Sequence, residues 1–208
     1  MIDGLRVTWR ALGNLRWNGY AYVWANLAFV ALCLPVVTAP AAWSALCRVG
    51  YLTYTDPSEA DLSAFWRTFR RNLWRALPWG LGSALFGYVN LSNLIAYSRE
   101  DGLLVTGLMV IWLLAGVIWL GMLLFTWPMY YEMAEPSVWG ATRNAALMVL
   151  RNPLMTLILL AALALLAVIS TVLIAAWLLL TFGVFAAFGN AAVQDRLAVH
   201  YAQRRAVP

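Results

Sequence analysis

The hydrophobic pattern of the chain consists of long uncharged runs separated by short charged segments. Asp, Glu, Lys and Arg are missing from four runs, residues 17–47, 76–98, 102–131 and 152–194. About 20 apolar residues in a helix cross the hydrocarbon core, so the first three runs each predict one membrane span. The last run predicts two spans joined near residues 175–179, because a single helix over it would be ~60 Å long against a core of ~30 Å. The predicted spans are 20–47, 77–98, 103–131, 153–175 and 177–194.

The segment between the first two runs has an amphipathic helical pattern. Asp56 fits the N-cap, Pro57 fits the first helical position, and Glu59 completes a capping box. Apolar residues then recur at helical spacing along one face. Its basic face carries four arginines, Arg67, Arg70, Arg71 and Arg75. The pattern predicts a helix over 57–75 whose arginine face binds anionic lipid headgroups or docks a partner protein.

The remaining segments are short and flank the spans. Residues 1–19 predict an interfacial helix, with a flexible tail as the alternative. Residues 137–152 predict a second amphipathic helix, and residues 195–208 a charged helical tail. Pro35 and Pro40 should bend or break the first span, since each removes a backbone donor. The whole chain is therefore predicted to be one membrane-embedded domain, an all-α polytopic transmembrane bundle of about five spans.

Composition agrees with a membrane protein. The chain is 63% hydrophobic and 11% charged, whereas soluble domains carry roughly 25% charged residues. All 14 basic residues are arginine, and the formal net charge is +5. The arginines lie between apolar runs rather than in a solvated basic domain, so we predict no nucleic-acid partner. Twelve tryptophans and nine tyrosines suit the headgroup depth of a bilayer, and we predict the cell membrane as the location.

The arginines also predict an orientation. Five spans divide them into four on the side of the N-terminus and ten on the side of the C-terminus. Because cytoplasmic segments are enriched in arginine, this predicts a cytoplasmic C-terminus and an N-terminus outside. The three arginines within residues 1–19 oppose that assignment.

Few residues carry recognisable catalytic chemistry. His200 is the only histidine, which excludes a metal site with several histidine ligands, and no phosphate-binding glycine loop occurs. We predict no enzymatic activity and no cofactor. Glu132 and Glu135, at the end of the third span, could bind a cation or relay protons. Pairing with Arg143 or another nearby arginine is the reading that we favour.

Two amides lie inside the second predicted span. Asn90 and Asn93 could line a path for a small solute or form hydrogen bonds to a neighbouring helix. The second reading is favoured, since an unsatisfied amide in hydrocarbon costs several kcal/mol.

A set of short motifs follows the chain in a fixed order. They are Asn26-Leu27, Pro35, Thr38, Pro40-Ala41, Phe65-Trp66, Phe69-Arg70-Arg71-Asn72, Pro128, Tyr131-Glu132, Asn144-Ala145 and Asn152-Pro153. In this order they resemble the YesL-like family of bacterial integral membrane proteins, whose function is not established. The resemblance implies a five-span fold and a link to carbohydrate uptake, and it supplies no catalytic residues.

These observations predict an accessory or regulatory membrane protein linked to carbohydrate uptake. Expected partners are the lipid bilayer, anionic headgroups, and a membrane transporter or a second copy of the chain. The alternative is a small-solute carrier or channel. In that case Asn90, Asn93, Glu132 and the break at Pro35–Pro40 would line the path.

Overall fold

The computed structural model describes residues 2–205, and all regular structure in that range is helical. The predicted all-α class is confirmed. Met1 and residues 206–208 of the predicted tail lie outside the described residues. The helices are α1 (Ile2–Cys33), α2 (Ala39–Thr55), α3 (Leu62–Tyr97), α4 (Leu103–Glu132), α5 (Val138–Arg151), α6 (Pro153–Val172), α7 (Ile174–Ala176) and α8 (Phe182–Arg205).

The predicted first span, 20–47, is a helical hairpin rather than one crossing. Helix α1 ends at Cys33, and α2 begins at Ala39. Pro35 and Pro40 cannot donate to the helical ladder, and Val36 takes a left-handed backbone conformation with φ of 59°. The two prolines therefore reverse the chain instead of bending it.

Contacts between neighbouring helices show that α1 and α2 are antiparallel. The Asn14 amide donates to the Thr53 carbonyl at 3.3 Å near one end. Near the turn, the Phe29 and Trp43 rings lie 5.9 Å apart.

Helix α1 also has an internal kink, at Asn18, whose backbone leaves helical geometry. Residues before this kink, within the predicted interfacial segment 1–19, are helical as expected.

The predicted amphipathic helix 57–75 and the predicted second span 77–98 form one continuous helix, α3. Its N-cap is Asp61, whose carboxylate accepts from the Ala64 N–H at 2.7 Å, rather than Asp56. This hydrogen bond lowers the pKa of Asp61. Pro57–Glu59 forms a separate 3₁₀ turn, and Pro78 lies within α3 without ending it.

Both described ends of the chain lie at the same end of the bundle. The Arg6 guanidinium on α1 donates to the Asp195 carboxylate on α8 at 3.1 and 3.0 Å. At the other end of this helix pair, the Asn26 carboxamide accepts from the Gly183 N–H at 2.8 Å. Helices α1 and α8 are therefore antiparallel. This differs from the predicted arrangement with the N-terminus and C-terminus on opposite sides.

The hairpin also changes how charge is distributed. With α1 returning through α2, thirteen of the fourteen arginines fall in the half of the bundle that carries both termini, which we call the arginine end. Arg99, in the connection between α3 and α4, is the exception. The three N-terminal arginines that opposed the predicted orientation now lie with the others.

Within the described residues, three helices are long and apolar enough to cross a membrane. They are Leu103–Glu132, Pro153–Val172 and Ile174–Gln203. The predicted count of about five spans is not confirmed, since amide and aromatic residues lower the mean hydropathy of α1 and α3. The far half of the bundle nevertheless exposes large apolar side chains, with Leu103 and Leu104 90% and 85% exposed. Such a surface suits lipid rather than water.

The last uncharged run turns around an irregular backbone segment. Helix α6 ends at Val172, and a π-helical turn covers Trp177–Thr181. Asn26, fully buried on α1, donates to the carbonyls of Trp177 and Leu178 at 2.9 and 2.6 Å. With the bond from Gly183, its carboxamide makes three hydrogen bonds to the backbone of this turn and of the first turn of α8.

Candidate functional site

A polar cavity of about 400 Å³ opens at the arginine end, between α2, α3 and the last turn of α4. We call it the basic pocket. Its charged and hydrogen-bonding lining includes Arg48, Glu59, Arg67, Arg71, Asn72 and Tyr131. Arg67 and Arg71 are four residues apart and so share one face of α3. Arg48 comes from α2 and Tyr131 from α4, so three separate helices build the site.

Arg48 is held in the pocket by aromatic rings. Its guanidinium lies 5.0 Å from the centre of the Tyr51 ring and 5.3 Å from that of Tyr131. Such cation–π contacts fix the plane of the guanidinium without consuming its N–H donors. The donors of Arg48 are therefore left for a ligand or for water.

Asn72 forms the buried floor of the pocket and is only 2% exposed. Its amide N–H groups donate to the Ser44 hydroxyl and to the Tyr131 hydroxyl, each at 3.2 Å. The Tyr131 hydroxyl in turn donates to the Ser44 carbonyl at 2.9 Å. The carboxamide oxygen of Asn72 is buried and has no donor in the structure. The floor thus contains one buried acceptor without a donor.

The pocket has an excess of positive charge. Among its lining residues the three arginines face one carboxylate, that of Glu59. Arg67 and Glu59 approach to 4.0 Å with both side chains well exposed, which makes a weak pair. Among the described residues, neither Arg48 nor Arg71 forms a salt bridge. The site therefore favours an anionic ligand.

The four arginines predicted as one lipid or partner surface divide into two groups. Arg67 and Arg71 line the basic pocket. Arg70 lies on the outer surface of α3 beside Trp66, in a shallow depression that Arg67 also borders. Arg75 borders an apolar groove of about 760 Å³, together with Trp139 of α5. We call Arg70 and Arg75 the outer arginine pair.

The residues predicted to line a solute path are not brought together. Asn90 is buried and donates to the Trp112 carbonyl at 2.8 Å across the α3–α4 contact. Asn93 donates to the Val89 carbonyl of its own helix at 2.9 Å. Glu132 lies 20 residues beyond Trp112 on α4, roughly 30 Å away at 1.5 Å per residue. Glu132 instead lies near Gln194 and Arg10.

The sequence did not identify Arg48, Asn72 or Tyr131 as members of a site. Arg48 directly follows the predicted span 20–47 and carried no assigned role, and Asn72 and Tyr131 appeared only in the motifs of the family resemblance. Their meeting depends on α2 returning beside α3, which the pattern of apolar runs does not specify.

Comparison with known families gives one match. A family model described as "Protein of unknown function, DUF624" matches residues 22–94. The matched stretch contains the hairpin and the α3 side of the basic pocket, and it indicates similarity to an uncharacterised family. Searches of curated proteins and of solved structures found no significant match.

Proposed function

We propose that the protein is a YesL-like, non-enzymatic protein of the cell membrane that acts as an accessory or regulatory partner in carbohydrate uptake. The observation that carries the proposal is the outer arginine pair on α3. Arg70 and Arg75 are exposed and stand on a helix that continues into the apolar half of the molecule. A partner bound there would contact an element directly coupled to the membrane-facing half.

Aromatic side chains beside the outer arginine pair support a protein partner. Trp74 and Trp139 are 77% and 79% exposed. Arginine and tryptophan are the residue types most enriched among energetically dominant contacts at protein interfaces. Trp74, four residues after Arg70, and Trp139, beside Arg75, therefore place a large exposed ring next to each positive charge, which suits acidic segments of a transporter subunit.

We further propose that the arginine end is cytoplasmic. Thirteen arginines at one end against one at the other is a strong positive-inside bias. It replaces the earlier expectation of an N-terminus outside, which depended on residues 20–47 crossing the membrane once.

Reporter fusions test this orientation. A fluorescent protein that folds only in the cytoplasm should be active when fused to either terminus. An alkaline phosphatase that folds only outside should be active when inserted next to Arg99. Phosphatase activity from a fusion at either terminus would contradict the proposal.

Charge reversal tests the docking role. The double variant Arg70→Glu/Arg75→Glu should lose most of the partner captured by cross-linking in membranes, because like charges now face an acidic surface. Sugar uptake should fall toward that of a deletion strain. Arg99→Glu, at the far end, is the matched control and should leave both readouts unchanged. Unaltered cross-linking and uptake in the double variant would refute the docking surface, and solute flux in liposomes containing only this protein would favour a carrier.

A further inference from the structure

We propose that the basic pocket binds a phosphate ester that carries hydroxyl groups. This site goes beyond the proposed partner role and does not depend on it, because the outer arginine pair lies outside the pocket. The same chemistry occurs in soluble polyol phosphates and in polyol headgroups of phospholipids. The ligand class follows from three features of the pocket, namely its donors, its single unused acceptor and its volume.

The donors favour phosphate over carboxylate. Arg48, Arg67 and Arg71 present guanidinium groups from two helices around one cavity. Each guanidinium offers five N–H donors in a planar fork that binds two oxygens at once. A phosphate monoester supplies three terminal oxygens and up to two negative charges, so it can engage all three groups. A carboxylate has two oxygens and one charge, and would leave part of the excess charge uncompensated.

The unpartnered acceptor adds a requirement that the fully ionised phosphate group of a monoester does not meet. The carboxamide oxygen of Asn72 needs a donor, and both amide N–H groups are committed to Ser44 and Tyr131. Fully ionised phosphate oxygens only accept hydrogen bonds. A buried acceptor without a partner is costly, so a ligand hydroxyl that reaches the Asn72 oxygen would contribute to affinity. The ligand should therefore carry both a phosphate and a hydroxyl.

The volume agrees with a small organic ligand. A cavity of about 400 Å³ lies in the lower part of the usual range for small-molecule sites. It leaves room beside the phosphate for a short polyol. Tyr130 and Tyr131 supply ring surface along the wall, against which carbon-bound hydrogens can pack.

Binding to the purified full chain in detergent tests the proposal with glycerol 3-phosphate, ethyl phosphate and glycerol as probes. Ethyl phosphate is a phosphate monoester without a free hydroxyl. Glycerol 3-phosphate should bind about five- to tenfold more tightly than ethyl phosphate, from the added hydrogen bond to Asn72, and glycerol should not bind measurably. Arg71→Gln should weaken glycerol 3-phosphate binding roughly tenfold or more. Arg143→Gln, exposed on α5, is the matched control and should bind like the wild type. Equal affinities for Arg71→Gln and wild type would overturn the site.

Chemical protection gives a second measurement that needs no variant. Phenylglyoxal modifies accessible arginines, and mass spectrometry of peptides reports each position. Glycerol 3-phosphate should protect Arg48, Arg67 and Arg71 and leave Arg143 reactive. Equal protection everywhere, or none, would overturn the proposal.

Nanodiscs separate the two sources of the ligand. Discs of phosphatidylglycerol should protect the three pocket arginines without added ester if the ligand is a lipid headgroup, and discs of phosphatidylcholine should not. Protection by soluble ester alone assigns the site to a free metabolite. Absence of protection in both arms would refute the site. The double variant Arg70→Glu/Arg75→Glu should bind glycerol 3-phosphate normally, so failure of the partner role and failure of this site are distinguishable.

Discussion

Replacement of Asn26 by leucine should destabilise the protein by about 3 kcal/mol, the largest effect expected of any single side chain in the bundle. The carboxamide of Asn26 satisfies the carbonyls of Trp177 and Leu178 and the N–H of Gly183. The two carbonyls belong to the π-helical turn before α8, and Gly183 lies in the first turn of α8. Leucine fills a similar volume but removes all three hydrogen bonds, and a buried polar group that loses its partner costs about 1–3 kcal/mol.

Unfolding in mixed micelles, followed by tryptophan fluorescence, measures this effect. Asn93→Leu is the matched control, because Asn93 bonds only to a carbonyl of its own helix. Its free energy of unfolding should change by less than about 0.5 kcal/mol. If both variants lost the same stability, the special role of Asn26 would be disproved.

Substitution of Gly189 by alanine is the second change expected to have a large effect. A Cβ atom there would lie 2.6 Å from the Leu124 carbonyl oxygen and 3.2 Å from a ring carbon of Pro128. Neither a helix backbone nor a proline ring can rotate away, so α4 and α8 must separate. Overpacking of this kind costs about 2 kcal/mol.

Gly107 of α4 provides the comparison. An added Cβ at Gly107 meets nothing within 4 Å. Gly107→Ala should therefore stabilise the protein by up to ~1 kcal/mol, from helix propensity alone. The thermal midpoints of the two variants should shift in opposite directions. A Gly189→Ala protein as stable as wild type would show that α4 and α8 do not pack this closely.

Local sequence signals predicted helix α5 well. Ser137 follows Pro136 and precedes an apolar periodicity, and the structure places Ser137 at the N-cap with its hydroxyl accepting from the Gly140 N–H at 3.3 Å. The predicted range 137–152 is close to the observed Val138–Arg151. Capping depends on residues three positions apart, so the sequence carries the whole signal.

The start of α3 shows where local signals compete. Asp56, Pro57 and Glu59 form a good capping pattern, yet the helix begins after Asp61. Packing of Ala60 and Ala64 against Leu52 of α2 favours the later start. Asp56 and Asp61 are N-cap candidates of similar local quality, but the residues after them make different tertiary contacts. A capping motif of four residues does not include those contacts.

Only part of the basic pocket could be predicted from the sequence. Arg67 and Arg71 were predicted as part of a basic face because they share a helix. Arg48 and Tyr131 are separated by more than 80 residues, and the cation–π contact between them exists only because α2 and α4 pack on the same side of α3. No spacing rule along the chain relates such residues.

The sequence alone determined that this protein is helical and apolar, and that its arginines lie outside the long uncharged runs. These properties depend only on composition and on patterns among residues close together in the chain. Whether Pro35 and Pro40 bend a span or reverse it depended on the partners that α2 finds, including α3 and Asn190 of α8, whose amide donates to the Cys47 carbonyl of α2. Because the chain reverses there, the N-terminus lies at the arginine end, and α2 packs beside α3 to form the basic pocket. Proline removes a hydrogen bond in either case, and only tertiary packing decides between the two outcomes.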